Sequence, residues 1–426
     1  MAEIRPFRGL QYNTDKIQRV GDVITPPYDV ISADQRRFFL ARSPWNVIRL
    51  ILPEGEAPYE NAHRLLRQWM AEKILVQAPQ PGLYCYHQTF TTPAGSRKTR
   101  TGFIALIKLE PFEKGIVLPH EATLSAPKED RLNLLRACKA NFSPIFGIYS
   151  DPEQTVDALL EPFTSGRPDF VAEDEAGVTN SVWNVSDPAL IREVQKQMNP
   201  KWVLIADGHH RYESCLLYRD EMSASHEDPD AFFQFTMMFF TNIHHPGITV
   251  LPYNRGVRNM RDFDASSVLK KAETYFAIRK FDEEAPAMLA LQQEGQQATA
   301  FLALMQGQPG FHFFRLRPEV KLAQFYSPKT PQAVWTLDVN ILHKVMIQHV
   351  LGITEEEIRR ESFLKYYKEI EEEKKDFLEG RLQMGFFLNP TRIEQVVEVS
   401  KAGAKMPQKS TFFYPKLMTG FVINLH

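Results

Sequence analysis

The sequence of 426 residues has few cysteines and no long apolar run. Its three cysteines, Cys85, Cys138 and Cys215, are far apart and form no Cys-x-x-Cys pair. Such a sparse, odd set argues against a secreted disulfide framework and against a cysteine zinc site. No apolar run approaches the roughly 18 residues that a membrane-spanning helix requires, and no apolar signal-peptide core follows the first residues. We therefore expect a cytoplasmic protein without a membrane partner.

The sequence also has no excess of one charge. It contains 50 basic and 52 acidic residues, which gives a formal net charge of -2. A balance of this kind exerts no overall attraction on DNA or on an anionic membrane. Neither a basic stretch nor a helix-turn-helix pattern is present, so we expect a small-molecule substrate and no nucleic acid. The pattern carries no indication of an oligomeric state.

A chain of this length exceeds one ordinary hydrophobic core and predicts two lobes. We expect an α+β fold with mixed sheets and helices. We place the boundary near residue 250, between one lobe over residues 1–250 and a C-terminal α+β lobe over residues 251–426.

Local patterns predict individual elements. The apolar runs Val47–Leu52 and Phe233–Asn242 predict a buried and a central strand, respectively. Residues 298–305 and 310–316 resemble a hairpin, and Thr354 to Glu357 has the pattern of a capping box that opens a helix.

The sharpest feature is a strand, a tight turn and a helix. The apolar run Trp202–Ala206 ends at Asp207 and Gly208, and helical spacing continues from Arg211 to Met222. A helix N-terminus presents backbone N–H groups and a partial positive charge, which suit an anion. Gly208 allows close approach of the backbone, and Arg211 can hold a phosphate or carboxylate with two parallel hydrogen bonds.

The other residues of this turn carry acid–base chemistry. Asp207 could hold a metal ion or take a proton from a hydroxyl group. His209 and His210 can exchange protons near neutral pH. The alternative is that adjacent histidines only cap a helix or face water, but the concentration of five functional residues in one turn favours a site.

A second cluster is His120-Glu121, followed by Lys128, Asp130 and Arg131. His120-Glu121 is not a zinc-protease motif, because no second histidine follows at the required spacing. Lys128 and Arg131 lie three residues apart and would share a helix face, where they could hold an anionic substrate while Glu121 acts as a base. The alternative is a solvated, charged start of a helix.

Three further segments are weaker candidates. Lys409, Ser410 and Thr411 could bind phosphate in a loop that lacks the glycine spacing of a P-loop, or could form an ordinary surface loop. Thr25–Asp29 is a candidate whose alternative is a rigid proline turn. The pair His244-His245 is more often a loop feature than a metal site.

In combination these segments resemble the bacterial and archaeal family called domain of unknown function 1015. The matching stretches are Thr25–Val30, Leu118–Glu121, Pro127–Arg131, Ala206–Glu213 and Met406–Lys416. They span nearly the whole chain. One departure is Asn254, where we would expect a histidine, and this weakens any role for that position.

The Asp-Gly-His-His-Arg turn also resembles the ParB and sulfiredoxin-like superfamily, and free-serine kinases in particular. This resemblance implies that residues 1–250 form a ParB-like catalytic core with an N-terminal extension. In that nucleotide-binding core the turn opens a helix and binds the phosphates of ATP or ADP. Residues 251–426 would then contribute a Lys/Ser/Thr loop to the site. It also makes serine or phosphoserine the best guess for the substrate.

The leading hypothesis is a phosphoryl-transfer enzyme for a small hydroxyl or phosphate metabolite, in the kinase or phosphatase direction. Residues 208–211 would hold the transferred group, with Mg²⁺ near Asp207 to offset charge. Glu121 would be the base, and a set of residues would bind the substrate: His120, Lys128, Asp130, Arg131, Lys409, Ser410 and Thr411. One alternative is a nucleotide-gated binding module of the partition-protein type. Another is a metal hydrolase with His120, His209 and His210 as ligands.

Overall fold

The computed structural model describes residues 1–123, 125–225, 228–360 and 362–426. The protein has an α+β fold, and its contacts divide it into two units. The first comprises residues 1–119, 123–249 and 415–426, and the second comprises residues 120–122 and 250–414. The short segment 120–122 therefore belongs to the second unit although first-unit residues flank it in sequence, and the last twelve residues return to the first.

The strands are, in chain order, β1 (Ile4–Arg5), β2 (Leu10–Tyr12), β3 (Leu75–Gln77), β4 (Leu83–Thr91), β5 (Arg97–Arg100), β6 (Phe103–Lys108), β7 (Val117–Leu118), β8 (Ala140–Asn141), β9 (Ile145–Tyr149), β10 (Phe170–Glu173), β11 (Thr179–Val185), β12 (Val203–Asp207), β13 (Phe235–Asn242), β14 (Thr249–Leu251), β15 (Asn254–Val257), β16 (Phe276–Phe281), β17 (Ala300–Met305), β18 (Gln308–Leu316), β19 (Leu364–Tyr367), β20 (Met384–Leu388), β21 (Phe412–Tyr414) and β22 (Asn424–Leu425).

The α-helices are α1 (Ala33–Arg42), α2 (Ile48–Ile51), α3 (Pro58–Ala71), α4 (Ser125–Cys138), α5 (Thr155–Thr164), α6 (Pro188–Met198), α7 (His209–Ser223), α8 (Ala265–Ala272), α9 (Glu284–Glu294), α10 (Gln332–Trp335), α11 (Asp338–Ile341), α12 (Glu355–Arg359), α13 (Ile370–Leu378) and α14 (Ile393–Lys401). Short 3-10 turns are Val20–Asp22, Tyr28–Val30, Phe112–Lys114, Phe232–Gln234 and Leu322–Phe325, and a π-helical stretch is Leu342–Val350. Across the described residues, no helix has both the length and the apolar character needed to cross a bilayer.

The first unit is built on a ten-stranded mixed sheet among its described residues. Its strand order is β10-β11-β4-β6-β13-β9-β12-β7, with β1 beside β6 and β5 beside β4. The pairs β13/β9 and β12/β7 are parallel, and the other pairs are antiparallel. All eight residues of β13 are buried, and β13 pairs with β6 on one side and β9 on the other, which confirms the predicted central strand.

The second unit is built on a six-stranded antiparallel sheet. Its order is β16-β18-β17-β20-β15-β19, and the predicted hairpin is confirmed by the pairing of β17 with β18. The predicted capping box is also confirmed, since the Thr354 hydroxyl accepts from the backbone N–H of Glu357 and the Glu357 carboxylate accepts from that of Thr354.

One predicted element is wrong. The run Val47–Leu52, predicted as a strand, contains the short helix α2. The Asn46 side chain accepts from the backbone N–H of Ile48 at 2.9 Å, as a residue at a helix start does. Val47, Ile48, Leu50 and Ile51 are all buried. A short, mostly buried apolar run fits either a strand or a helix, so its periodicity could not decide between them.

Candidate functional site

The predicted strand, turn and helix are confirmed at β12 and α7. The first four residues of β12 are buried, and Asp207 ends the strand. Gly208 then adopts φ 93° and ψ 29°, and α7 begins at His209. A Cβ at Gly208 would lie 2.9 Å from the guanidinium carbon of Arg211. Both the left-handed backbone and this close approach require glycine at the turn.

Asp207 lies between two cations. One carboxylate oxygen accepts from Arg211 Nη2 at 2.9 Å, and the other accepts from Lys416 Nζ. The three side chains are only 16%, 12% and 13% exposed, in the order Asp207, Arg211, Lys416. Burial alone would raise the pKa of the Asp207 carboxyl, but Lys416 and Arg211 outweigh it and hold that pKa well below its usual range. Asp207 is therefore ionised near neutral pH and is a poor proton acceptor.

The Nε atom of Arg211 differs from its two terminal nitrogens. Its Nη1 donates to the carbonyl oxygen of Pro144 at 2.6 Å, and its Nη2 donates to Asp207. Its buried Nε has no hydrogen-bond partner in the described structure. Buried polar atoms are nearly always paired with protein, water or a ligand. The Nε group therefore indicates a place for an acceptor beside the turn.

A cavity of about 50 Å³ lies beside α7 in the first unit, and its lining includes Tyr28, Arg131, Arg211 and Ser214. This volume exceeds what one water molecule needs. Arg131 comes from α4 and Arg211 from α7, and the Ser214 hydroxyl joins these helices by donating to the Lys128 carbonyl at 2.8 Å. Two guanidinium groups from different helices thus border one cavity.

Contacts within the first unit hold Arg131 and Tyr28 in place. The Arg131 guanidinium carbon lies 4.1 Å from the centroid of the Tyr28 ring, and its Nη1 donates to the Ile51 carbonyl at 2.9 Å. Burial raises the pKa of the Tyr28 hydroxyl to about 12, so it is neutral at physiological pH. The segment Thr25–Asp29 therefore contributes an aromatic wall to the cavity.

Lys128 and Asp130 do not line this cavity. Lys128 pairs with Glu213 at 2.9 Å, whereas Asp130 pairs with Arg131 at 2.5 Å and accepts from the Tyr59 hydroxyl at 2.8 Å. Lys128 and Arg131, which we expected to bind one substrate together, therefore contact different side chains. Of the two, Arg131 is the one that borders the cavity.

The two histidines of the turn differ in exposure. His209 is 5% exposed, and His210 is half-buried. His209 acts on the pKa of Asp207 in the same direction as Lys416 and Arg211. Their acid–base role remains a prediction.

The remaining predicted residues form a separate cluster in the second unit. His120 Nε2 lies 2.9 Å from the Thr411 hydroxyl, and Glu121 accepts from the backbone N–H of Lys409 at 3.0 Å. The Ser410 hydroxyl donates to the Pro407 carbonyl at 2.6 Å. Two sequence-predicted groups 288 residues apart thus meet in one cluster.

Lys416 and Tyr28 are the residues to which the sequence assigned no individual role. Lys416 stands 209 positions from Asp207, so no local spacing connects them. Tyr28 lies in a segment that reads equally well as a rigid turn. Both residues lie in stretches that carry the family resemblance, which was the one feature of the sequence that could have indicated a role for them.

The arrangement does not fit a magnesium ion on Asp207. Both carboxylate oxygens of this residue accept from cations, and a metal ion would have to displace one of them. Across the described ranges, no group of three or more His, Cys, Asp or Glu side chains is placed to hold a metal. Neither the expected magnesium site nor the histidine ligand set of a metal hydrolase is therefore assembled there.

Comparison with known proteins identifies a family and some partly similar structures. A profile of the family described as "Protein of unknown function (DUF1015)" matches residues 4–340. No protein with a curated description matches significantly. A conserved hypothetical protein from Pyrococcus furiosus is 14% identical, with 75% of this chain and 95% of that chain covered and a TM-score of 0.35.

Two other solved structures have comparable scores. A mutant of a free serine kinase in complex with AMP is 13% identical, covering 75% of this chain and 92% of that chain, with a TM-score of 0.38. SbnI from Staphylococcus aureus, with a C-terminal truncation, is 7% identical and has a TM-score of 0.35. The match covers 76% of this chain and 87% of that chain. Likenesses at this level carry no argument about activity.

Proposed function

The chain belongs to the family described as protein of unknown function (DUF1015), and within it we propose that this member is a phosphoryl-transfer enzyme acting on a small hydroxyl or phosphate compound. One observation carries the proposal. Arg131 and Arg211 border one cavity, Arg211 lies in the first turn of a helix that follows a left-handed glycine, and its buried Nε has no hydrogen-bond partner in the described structure. This combination suits a phosphoryl group.

The charges of the turn fit the demands of such a reaction. Phosphoryl transfer is catalysed mainly by positioning and by cations that stabilise the charge on the transferred group. Arg211 and Lys416 are buried cations that Asp207 holds within hydrogen-bonding distance. We propose that Asp207 positions these two cations, since both its oxygens are engaged and its pKa is lowered. This role replaces those of metal ligand and proton acceptor.

The substrate and donor follow from the resemblance of residues 207–211 to the free-serine kinase motif. We propose serine or phosphoserine, with ATP or ADP as the donor or acceptor. In the forward direction, the serine oxygen forms a bond to the terminal phosphorus as the bond to the nucleotide oxygen breaks, and the hydroxyl proton passes to a base. A magnesium ion carried by the nucleotide phosphates would enter as part of that substrate.

Glu121 is the base that we propose for the hydroxyl proton. This role is proposed from the sequence pattern His120-Glu121 alone. Glu121→Gln should reduce kcat by about 10²- to 10⁴-fold, the usual contribution of general base catalysis. Nucleotide affinity should stay unchanged, and a variant with the kcat of the wild type would exclude this role.

The decisive experiment incubates the purified protein with serine plus ATP or ADP, and separately with phosphoserine. Products are followed by ³¹P NMR and mass spectrometry. We expect phosphoserine in the first mixture or serine and phosphate in the second. Absence of product in both would exclude the serine version of the proposal.

Variants then locate the reaction. Arg211→Ala should lower kcat/KM by about 10²- to 10³-fold, the cost of removing one oxyanion donor. Arg211→Lys keeps the charge but not the paired geometry, so it should recover only part of the loss. Arg136→Ala is the matched control, because it removes an exposed guanidinium from α4, the helix that carries Arg131. Full activity in Arg211→Ala would refute the site.

A further inference from the structure

The second unit contains a cavity of about 540 Å³ whose chemistry the proposed reaction does not use. Its size falls within the usual range for small-molecule sites, about 300–1,000 Å³. Three segments line it: the end of α9, the start of α11 and the first turn of α14 with the residues before it. Its lining includes Asp338, Asn389, Thr391, Arg392 and Gln395.

Two opposite charges border this cavity. Asp338 is the first residue of α11, and Arg392 precedes α14. Each influences the other electrostatically. Neither forms an ion pair within 4 Å with any residue that the structure describes. A carboxylate and a guanidinium held apart at one cavity complement a ligand that carries both an ammonium and a carboxylate group.

Neighbouring contacts preorganise the cavity wall. The Asn389 amide donates to the Leu291 carbonyl at 2.8 Å, and the Gln395 side chain accepts from the backbone N–H of Arg392 at 3.1 Å. A Cβ at Gly295 would lie 1.9 Å from Asn389 Nδ2, so only glycine permits this approach of α9. The amide groups are therefore fixed before a ligand arrives, which lowers the entropy cost of binding.

From this arrangement we propose that the second unit binds a free α-amino acid, with its ammonium on Asp338 and its carboxylate on Arg392. Most of the residues that line the cavity have polar or charged side chains, which favours a ligand with polar groups. One acidic and one basic group give the lining no net charge, which disfavours a nucleotide or a phosphate. The site belongs to the second unit alone and does not depend on the reaction proposed for the first.

The carboxyl group of Asp338 supports a ligand that supplies a cation. Burial raises its pKa to about 7, and the Thr299 hydrogen bond and Arg392 only partly oppose this effect. An ammonium group at Asp338 would restore the interactions that the buried carboxylate lost on leaving water. Binding should therefore be tighter near pH 8 than near pH 5.5, where Asp338 is protonated.

The test measures binding of the twenty standard amino acids to the full chain by thermal shift, followed by titration calorimetry of those that raise the Tm. We expect at least one to bind. Its N-acetyl and amide derivatives should fail, because each lacks one of the two charges. If no amino acid binds at about 10 mM, corresponding to a binding free energy weaker than about 3 kcal/mol, the proposal is overturned.

Variants assign the binding to this cavity. Asp338→Asn and Arg392→Gln should each weaken it by about tenfold or more, and Arg392 is exposed, so its replacement should preserve the fold. Glu398→Gln, an exposed position on α14 outside the lining, is the control and should bind normally. Arg211→Ala should also bind normally. Loss of binding in Arg211→Ala, with retention in both cavity variants, would overturn the assignment and leave the proposed reaction standing.

Discussion

Replacing Asp207 by asparagine should strongly destabilise the first unit. The substitution preserves shape but removes the negative charge between Arg211 and Lys416, which are 12% and 13% exposed. Breaking a buried ion pair by removing one partner usually costs about 3–5 kcal/mol, because the other charge stays buried and uncompensated. Here two cations lose their partner at once, so we expect a loss of free energy of unfolding near the upper end of that range.

The effect of Asp207→Asn should depend on pH in a defined direction. The pKa of Asp207 is lowered in the folded protein, so its contribution is fully present above the unfolded-state pKa of about 3.9. It is lost as pH falls below that value towards the folded-state pKa. The difference between the wild type and Asp207→Asn should therefore be constant from pH 5 to pH 8 and should shrink below about pH 4.

Urea unfolding followed by tryptophan fluorescence suits this measurement. Four of the five tryptophans belong to the first unit, so the signal reports mainly on it: Trp45, Trp69, Trp183 and Trp202. Asp220→Asn is the matched control in α7, the helix that follows Asp207, since Asp220 is 64% exposed and pairs with Arg219. Exposed pairs contribute about 0–1 kcal/mol. If Asp207→Asn costs no more than Asp220→Asn, the buried-network argument is refuted.

Three further predictions address other positions. Gly208→Ala should lower the free energy of unfolding by about 1–3 kcal/mol and displace Arg211, because φ is 93° at this position and the new Cβ would meet the guanidinium group. A urea unfolding curve with wild-type stability would contradict this prediction. Asp338→Asn should raise the free energy of unfolding near pH 8 by up to about 4 kcal/mol, but not near pH 4. The raised pKa of Asp338 contributes stability that is fully present below about pH 3.9 and is lost as the pH rises through about 7. Equal gains in Tm at both pH values would exclude this explanation. Burial lowers the pKa of His426 to about 4, so the free energy of unfolding should fall by up to about 3 kcal/mol between pH 6.5 and pH 4. His426→Gln should reduce this dependence on pH in urea titrations. An unchanged dependence would count against the prediction.

The parts of the site that could be predicted were those that depend only on residues close together in the sequence. An apolar run, an Asp-Gly break and helical spacing specify the turn at Gly208, because glycine alone tolerates its backbone conformation. The run at Val47 has no glycine break of this kind, so its sequence did not distinguish the short helix α2 from a strand. Chain length predicted two lobes. It could not indicate that residues 120–122 belong to the second unit, since that assignment depends on contacts with residues almost 300 positions away.

Electrostatic partners were harder to predict than backbone conformation. Helical spacing placed Lys128 and Arg131 on one face, but spacing says nothing of which charged groups the neighbouring elements present. Lys128 forms an ion pair with Glu213 on α7, whereas the guanidinium group of Arg131 packs on the Tyr28 ring. Only the second of these cations therefore borders the cavity.

The network around Asp207 has a consequence for how the site would discriminate among anions. Arg211 and Lys416 would repel each other if both were held beside the turn alone, and Asp207 makes their arrangement stable before any ligand arrives. Such preorganisation avoids reorienting the cations during a reaction. An incoming phosphoryl group would have to compete with a carboxylate already in place. A monovalent anion offers no more charge than Asp207, whereas a phosphate dianion offers more. Inorganic phosphate should therefore bind more tightly than chloride or acetate, and equal affinities would argue against a phosphoryl site at this turn.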